Sequence, residues 1–129
     1  MPTPEGPVRE TPTLLVVEDD RLLRWSLHEK LTAAGWEVIE AASGFAALEA
    51  AARRSIVLAL VAVSLPDLDG AALAVQLASE HPECRIILMA SAERPEAVAP
   101  RPGGWPVLEK PFDLDEIVRW AGPTGPRSG

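Results

Sequence analysis

From Thr13 onward the chain alternates short apolar runs with stretches in which apolar residues recur every three or four positions. Thr13 to Val17 is the first run, and it stops abruptly at Glu18-Asp19-Asp20, which predicts a buried strand delivering carboxylates at its exit. Over Arg21 to Ala34, Leu23, Leu27 and Leu31 fall one turn apart and line one face of a helix, with Gly35 placed to end it. Leu22 and Trp25 fall on its other side with Arg21, His28 and Glu29, where Trp25 is a candidate contact residue. Trp36 to Ala41 predicts a second strand, and Ser43-Gly44 turns into a second helix that runs to Arg54. Ile56 to Val63 is an unbroken apolar run with four β-branched residues, the signature of a strand covered on both faces and therefore central. It ends in Ser64-Leu65-Pro66-Asp67-Leu68-Asp69-Gly70, where Pro66 removes a ladder donor and the Asp and Gly residues supply turn chemistry. An Ala-rich third helix follows over Gly70 to Glu80, and Arg85 to Ala90 predicts a fourth strand.

The rhythm then breaks. Pro95, Pro100, Pro102, Gly103, Gly104 and Pro106 leave room for one or two helical turns around Glu96 to Ala99, so the fourth helix is expected to be short. Val107 to Glu109 predicts a short last strand, and a short fifth helix follows from Asp113 to Trp120 or Ala121. Asp113 is its expected N-cap, with Glu116 as capping-box partner. Met1 to Pro12 holds four prolines and no periodic pattern, which predicts a disordered leader, and Gly122 to Gly129 reads as a frayed tail or linker stub. One domain over residues 13–121 remains. Strands alternating with helices within it predict an α/β, doubly wound sandwich with a parallel sheet.

Composition narrows the functions such a fold can carry. A chain of 129 residues buries enough surface without disulfides or a structural metal. The formal net charge of −7 disfavours nonspecific binding to nucleic acid or to an anionic membrane, which leaves protein partners. The lone Cys84 reads as a small core residue in a reducing, cytoplasmic setting. No apolar run reaches the length of a bilayer span, and the N-terminus has no signal-peptide core. His28 and His81 lack metal-ligand spacing and read as surface residues. The central strand ends in Leu60, Val61, Ala62 and Val63, with no nucleophile, acid or base among them, and no enzymatic activity is expected. Asp20 is expected as an N-cap, and Asp67 and Asp69 as turn and helix-start residues.

Four motifs in order carry a family resemblance: Val16-Val17-Glu18-Asp19-Asp20, the Ser64 to Gly70 turn, Met89-Ala90-Ser91-Ala92-Glu93, and Glu109-Lys110-Pro111-Phe112. Together they resemble the receiver domain of two-component response regulators, the CheY-like family, over about residues 13–121. The resemblance implies a flavodoxin-like sheet of order 2-1-3-4-5. It also implies that Glu18 and Asp19 are the acidic pair that binds Mg²⁺, with Asp19 the direct ligand and the Ser64 carbonyl in the metal shell. Ser91 matches the residue that hydrogen-bonds the phosphoryl oxygen, Lys110 the lysine that pairs with it, and Pro111 the proline after a cis peptide bond.

Departures from the pattern change the functional expectation. The family's phosphoacceptor aspartate falls on Ala62, whose methyl group can neither attack phosphorus nor bind a metal. The switch aromatic of the last strand falls on Val107, with Trp105 and Trp120 nearby. The expectation is a degenerate receiver: a phosphorylation-independent protein–protein interaction module in phosphorelay signalling, with a weak or vestigial Mg²⁺ site. Its partner is expected to be a signalling protein, a kinase or an output domain, contacted beside Val107 to Glu109 and the last helix. The alternative is a conventional Mg²⁺-dependent phosphoaspartate switch whose acceptor has been replaced by Ala62. Ser64 faces the same side, but its alkoxide is a less suitable acceptor. A flavoprotein or enzyme on this fold is disfavoured, because Glu18-Asp19-Asp20 would repel a phosphate after the first strand.

Overall fold

The computed structural model describes residues 12–91 and 104–122. In chain order they form β1 (Thr13–Val17), α1 (Arg21–Ala33), β2 (Glu37–Ala41), α2 (Gly44–Arg53), β3 (Leu58–Ala62), α3 (Gly70–Glu80), β4 (Arg85–Ser91), β5 (Val107–Lys110) and α4 (Leu114–Ala121). All strand pairs are parallel, in the order β2-β1-β3-β4-β5, which is the predicted topology. The leader, the tail beyond residue 122 and the expected turns around Glu96 to Ala99 lie outside the described residues.

Side-chain alternation divides the core into two layers. Leu15 and Val17 of β1, Ala59 and Val61 of β3, and Ile86, Leu88 and Ala90 of β4 pack against α2 and α3 through Ala47, Ala51, Leu73, Ala74 and Leu77. Leu14, Val16, Leu58, Leu60, Ala62, Ile87, Met89 and Leu108 face the other way, onto Leu27 and Leu31 of α1 and Ile117 and Ala121 of α4. Every residue of β3 is buried, as the unbroken apolar run predicts for the middle strand.

The observed strand is shorter than the expected Ile56 to Val63 at both ends. Val57 already donates to the Thr13 carbonyl and Val63 to the Met89 carbonyl, while Ser64 and Asp69 form an isolated antiparallel bridge that turns the chain back. The second strand begins at Glu37 because the Trp36 N–H is still engaged by the Leu31 carbonyl at the end of α1. That end is made possible by Gly35, whose φ of 105° is a conformation L side chains rarely adopt.

The helix starts follow their caps. Asp20, Ser43 and Asp69 accept from the N–H groups of Leu23, Ala46 and Ala72, and Asp113 accepts from Asp115. In place of the expected capping box, Glu116 meets Asp113 by backbone alone, its N–H donating to the Asp113 carbonyl while the Asp113 side chain takes the Asp115 N–H. Arg85, at the start of β4, donates to the Trp120 and Ala121 carbonyls and so ties the C-terminal end of α4 to the sheet. Cys84 packs against the α2/α3 layer, and burial, with a smaller push from the Glu83 charge, raises its thiol to about 11. It is therefore protonated and unreactive at neutral pH. Leu22 and Trp25 are exposed, as the helical phase of α1 requires.

Two glycines pack where a side chain does not fit. A Cβ at Gly70 would stand 2.0 Å from the Ala62 carbonyl oxygen and 2.7 Å from Val63 Cα, both backbone atoms. A Cβ at Gly44 would meet the Leu68 side chain, 2.5 Å from Cδ1. Gly70→Ala is expected to cost roughly 2–3 kcal/mol in urea unfolding, because a strand end must move. Gly44→Ala is expected to cost about 1 kcal/mol, because a leucine side chain adjusts more readily than backbone. Equal costs would show that the β3 exit is not the rigid neighbour.

Candidate functional site

Alternation along the strands brings the candidate residues to one place. Glu18 continues the phase of Leu14 and Val16, Ala62 that of Leu58 and Leu60, Ser91 that of Ile87 and Met89, and Lys110 that of Leu108. All four therefore stand on the α1/α4 side at the carboxyl end of the sheet. There the exits of β1, β3, β4 and β5 lie side by side, which is the usual location of ligand sites in open parallel sheets. Ser91 and Lys110 are register partners on neighbouring strands, and Ala62 pairs with Met89.

Glu18 is the most buried charged group of the site, at 1% exposure. Burial of a carboxylate is tolerated only with partners, and both of its oxygens have one. The Lys110 ammonium donates to Oε1 at 2.6 Å, and the Asp20 N–H donates to Oε2 at 2.9 Å. The Glu18 carbonyl accepts from Arg24 Nη1 at 2.8 Å, while Arg24 Nε donates to Glu40 on β2. Arg24 is a positioning residue that the helical pattern of α1 did not single out. It lies one turn after the capping Asp20, on the polar side of Leu23 and Leu27. Asp19 is exposed, as is Ser64. The Lys110-Pro111 peptide bond is cis.

The donor set can be compared with the needs of Mg²⁺. A small hard cation prefers near-octahedral oxygen coordination. Here Glu18 is engaged by Lys110 and the Asp20 N–H, and a methyl group stands at position 62. Among the described residues no group of three or more His, Cys, Asp or Glu side chains comes together as a metal site. Of the acidic pair implied by the resemblance, Glu18 is engaged by Lys110 and the Asp20 N–H, and Asp19 is exposed.

The loop after β3 is braced from a direction the sequence did not show. Asp67 lies in the turn as expected, but its carboxylate reaches α2, accepting from the Gly44 N–H at 2.8 Å and the Phe45 N–H at 2.9 Å. The Phe45 N–H is the main cause that holds this carboxyl below its ordinary range; burial opposes it, and the Gly44 N–H adds to the lowering. Asp69 caps α3, and the Gly70 N–H donates to the Val63 carbonyl at 2.8 Å. Only position 67 had a usable signal, an Asp beside a Pro, and nothing local pointed to a helix start 23 residues earlier.

Trp105 and Trp120, expected together beside the last strand, lie on opposite faces of the sheet. Trp105 and Val107 pack on the α2/α3 layer, whereas Trp120, Phe112 and Val118 pack on the α1/α4 layer. The edge strand β5 separates them. Lys30 and Asp115 join α1 to α4 across the second layer.

Comparisons with known proteins agree with this geometry. The family model described as response regulator receiver domain matches residues 14–121. The chain is 35% identical over 105 residues to the DNA-binding transcriptional regulator NtrC of Escherichia coli K12, covering 80% of this chain and 22% of that protein. It is 31% identical over 108 residues to the probable transcriptional regulatory protein TcrX of Mycobacterium tuberculosis, covering 82% of this chain and 46% of that one. This chain thus spans less than half the length of either relative. Among solved structures, the receiver domain of NtrX from Brucella abortus superimposes with a TM-score of 0.77 at 29% identity, covering 84% of this chain and 93% of that one. A CheY-like receiver domain from Methanospirillum hungatei shares the fold, with a TM-score of 0.75 at 23% identity over 87% of this chain and 91% of the other.

The Asp67 brace predicts a pH dependence. A carboxyl whose pKa is lower folded than unfolded contributes stability that is fully present above its unfolded value of about 4. That contribution is lost as pH falls through the lower folded value. The urea midpoints of wild type and Asp67→Asn are therefore expected to differ at pH 6 and to converge on acidification below about pH 4. A gap that widens with acid would remove the α2 N–H groups as the cause.

Proposed function

Because this chain belongs to the response regulator receiver domain family, we propose that it acts in two-component signalling as a protein–protein interaction module that works without covalent phosphorylation. The observation that carries this reading is Ala62, buried at the end of β3 where the resemblance places the acceptor aspartate. A methyl group offers no lone pair to phosphorus. Glu18 and Lys110, which flank that position on the same side of the sheet, are engaged with each other. Protein recognition then rests on the fixed surface of the fold, in the manner of a preorganised binding module.

The partner is a signalling protein of the pathway, a kinase or an output domain. Relatives such as NtrC are described as DNA-binding regulators and are much longer than this chain, so a nucleic-acid function belongs, on this reading, to other segments. No helix among the described residues is long and apolar enough to cross a membrane. The setting we propose is cytoplasmic. Mg²⁺ is expected to interact only weakly, at about millimolar concentrations or above, through Asp19 and the Ser64 carbonyl, since one exposed carboxylate makes a poor site.

Treatment with acetyl phosphate and Mg²⁺ tests the central claim. The intact mass of the wild-type chain is expected to stay unchanged, whereas Ala62→Asp is the variant able to take up a phosphoryl group. A stable phosphoryl adduct on the wild type would refute the reading. Trp120→Ala is expected to weaken binding of the cognate signalling partner about tenfold or more while the chain stays folded, as for an aromatic anchor at an interface. Unfolding of that variant would assign Trp120 to packing alone.

A further inference from the structure

β2 is an outer strand of the sheet, and among the described residues it is bonded on one side only, to β1. The Glu37 N–H donates to the Pro12 carbonyl and the Ala41 carbonyl accepts from the Glu18 N–H, so Glu37, Ile39 and Ala41 turn their backbone groups toward β1. Val38 and Glu40 therefore turn theirs outward. An open row of this kind is a template for a further strand.

Charged residues on an outer strand commonly prevent such pairing. Here both carboxylates are matched within the chain, Glu37 by Arg54 at 2.8 Å and Glu40 by Arg24 at 2.9 Å. Between them stand Val38 and Ile39, both half-buried. The order of these residues is self-complementary. A second β2 laid antiparallel about a two-fold axis at Ile39 sets Val38 opposite the partner's Glu40 and Glu40 opposite the partner's Val38, and each of these pairs exchanges two N–H···O=C bonds. Ile39 then meets its own counterpart at the non-hydrogen-bonded position, where side chains approach closest. Neither carboxylate falls directly opposite its like, since Glu37 faces the partner's Ala41. The other outer strand, β5, stands between Pro106 and Pro111, and its Leu108 is buried in its own core.

We propose that β2 is a self-association edge: two copies of this chain join through antiparallel β2 strands, so that their five-stranded sheets become one. This surface lies across the sheet from the β5 and α4 side, so the inference stands apart from the reading of Ala62 above. A five-residue strand offers less than the roughly 1,200 Å² of a standard interface, which makes the association weak, with a Kd on the order of 100 µM.

Sedimentation velocity of the whole chain tests the inference. The sedimentation coefficient of the wild type is expected to rise toward that of a dimer between about 10 µM and about 1 mM. Val38→Pro removes one outward N–H and no bond to β1, so it is expected to weaken association about tenfold or more while the far-UV circular dichroism stays unchanged. Ile39→Lys sets two ammonium groups against each other across the axis and is expected to do the same. Mild oxidation of a Cys84→Ser background reads the register. There Ile39→Cys is expected to form an intermolecular disulfide about tenfold faster than Val38→Cys, because only position 39 meets itself across the axis.

A wild type that stays monomeric to about 1 mM would overturn the proposal. So would association that survives both Val38→Pro and Ile39→Lys, which places the contact on another face, or equal disulfide rates at positions 38 and 39. If one of the two variants fails to fold, the other decides together with the disulfide rates.

Discussion

Two-sided burial of β3 is the constraint from which the rest of the structure follows. None of its five residues is exposed, so each face of the strand needs its own apolar cover. The cover comes from α2 and α3 on one side and α1 and α4 on the other. Parallel pairing has α1, α2 and α3 each return the chain across the sheet to the same starting edge. All strand exits consequently lie at the opposite edge. Glu18, Ala62, Ser91 and Lys110 meet there because each continues the phase of its own strand.

That edge is held on two sides by different electrostatics. On the β1/β5 side a carboxylate is buried and paired with an ammonium, so it holds only while both partners are present. On the β3 side the exposed carboxylate of Asp67 is held by two backbone N–H groups at the start of α2, where the helix dipole adds to the hydrogen bonds. Gly70 completes this side by bringing the helix start against the Ala62 carbonyl at a separation only glycine permits.

Family membership and mechanism rest on different observations. Membership follows from the match over residues 14–121 and from the strand order. The proposed mechanism turns on one side chain, Ala62, and on what its neighbours do in its presence. Sites, rather than folds, carry function.

The sequence by itself determined the architecture, because hydrophobic period is local information. The unbroken run ending at Val63 marked the central strand, the Leu23, Leu27 and Leu31 spacing set the buried face of α1, and Asp20, Asp69 and Asp113 stood where caps were needed. Strand ends were misplaced by one or two residues, since a strand stops where its partner stops, and that is settled by register. Only the tertiary structure decided the pairings. Glu18 with Lys110, Asp67 with the start of α2, Arg24 with the Glu18 carbonyl and Arg85 with the end of α4 all join separate elements, and no local pattern encodes them. Trp105, ahead of β5, and Trp120, on α4, likewise pack on opposite layers of the core. Periodicity fixes which way a side chain points within its own element, and chain topology fixes what it meets there.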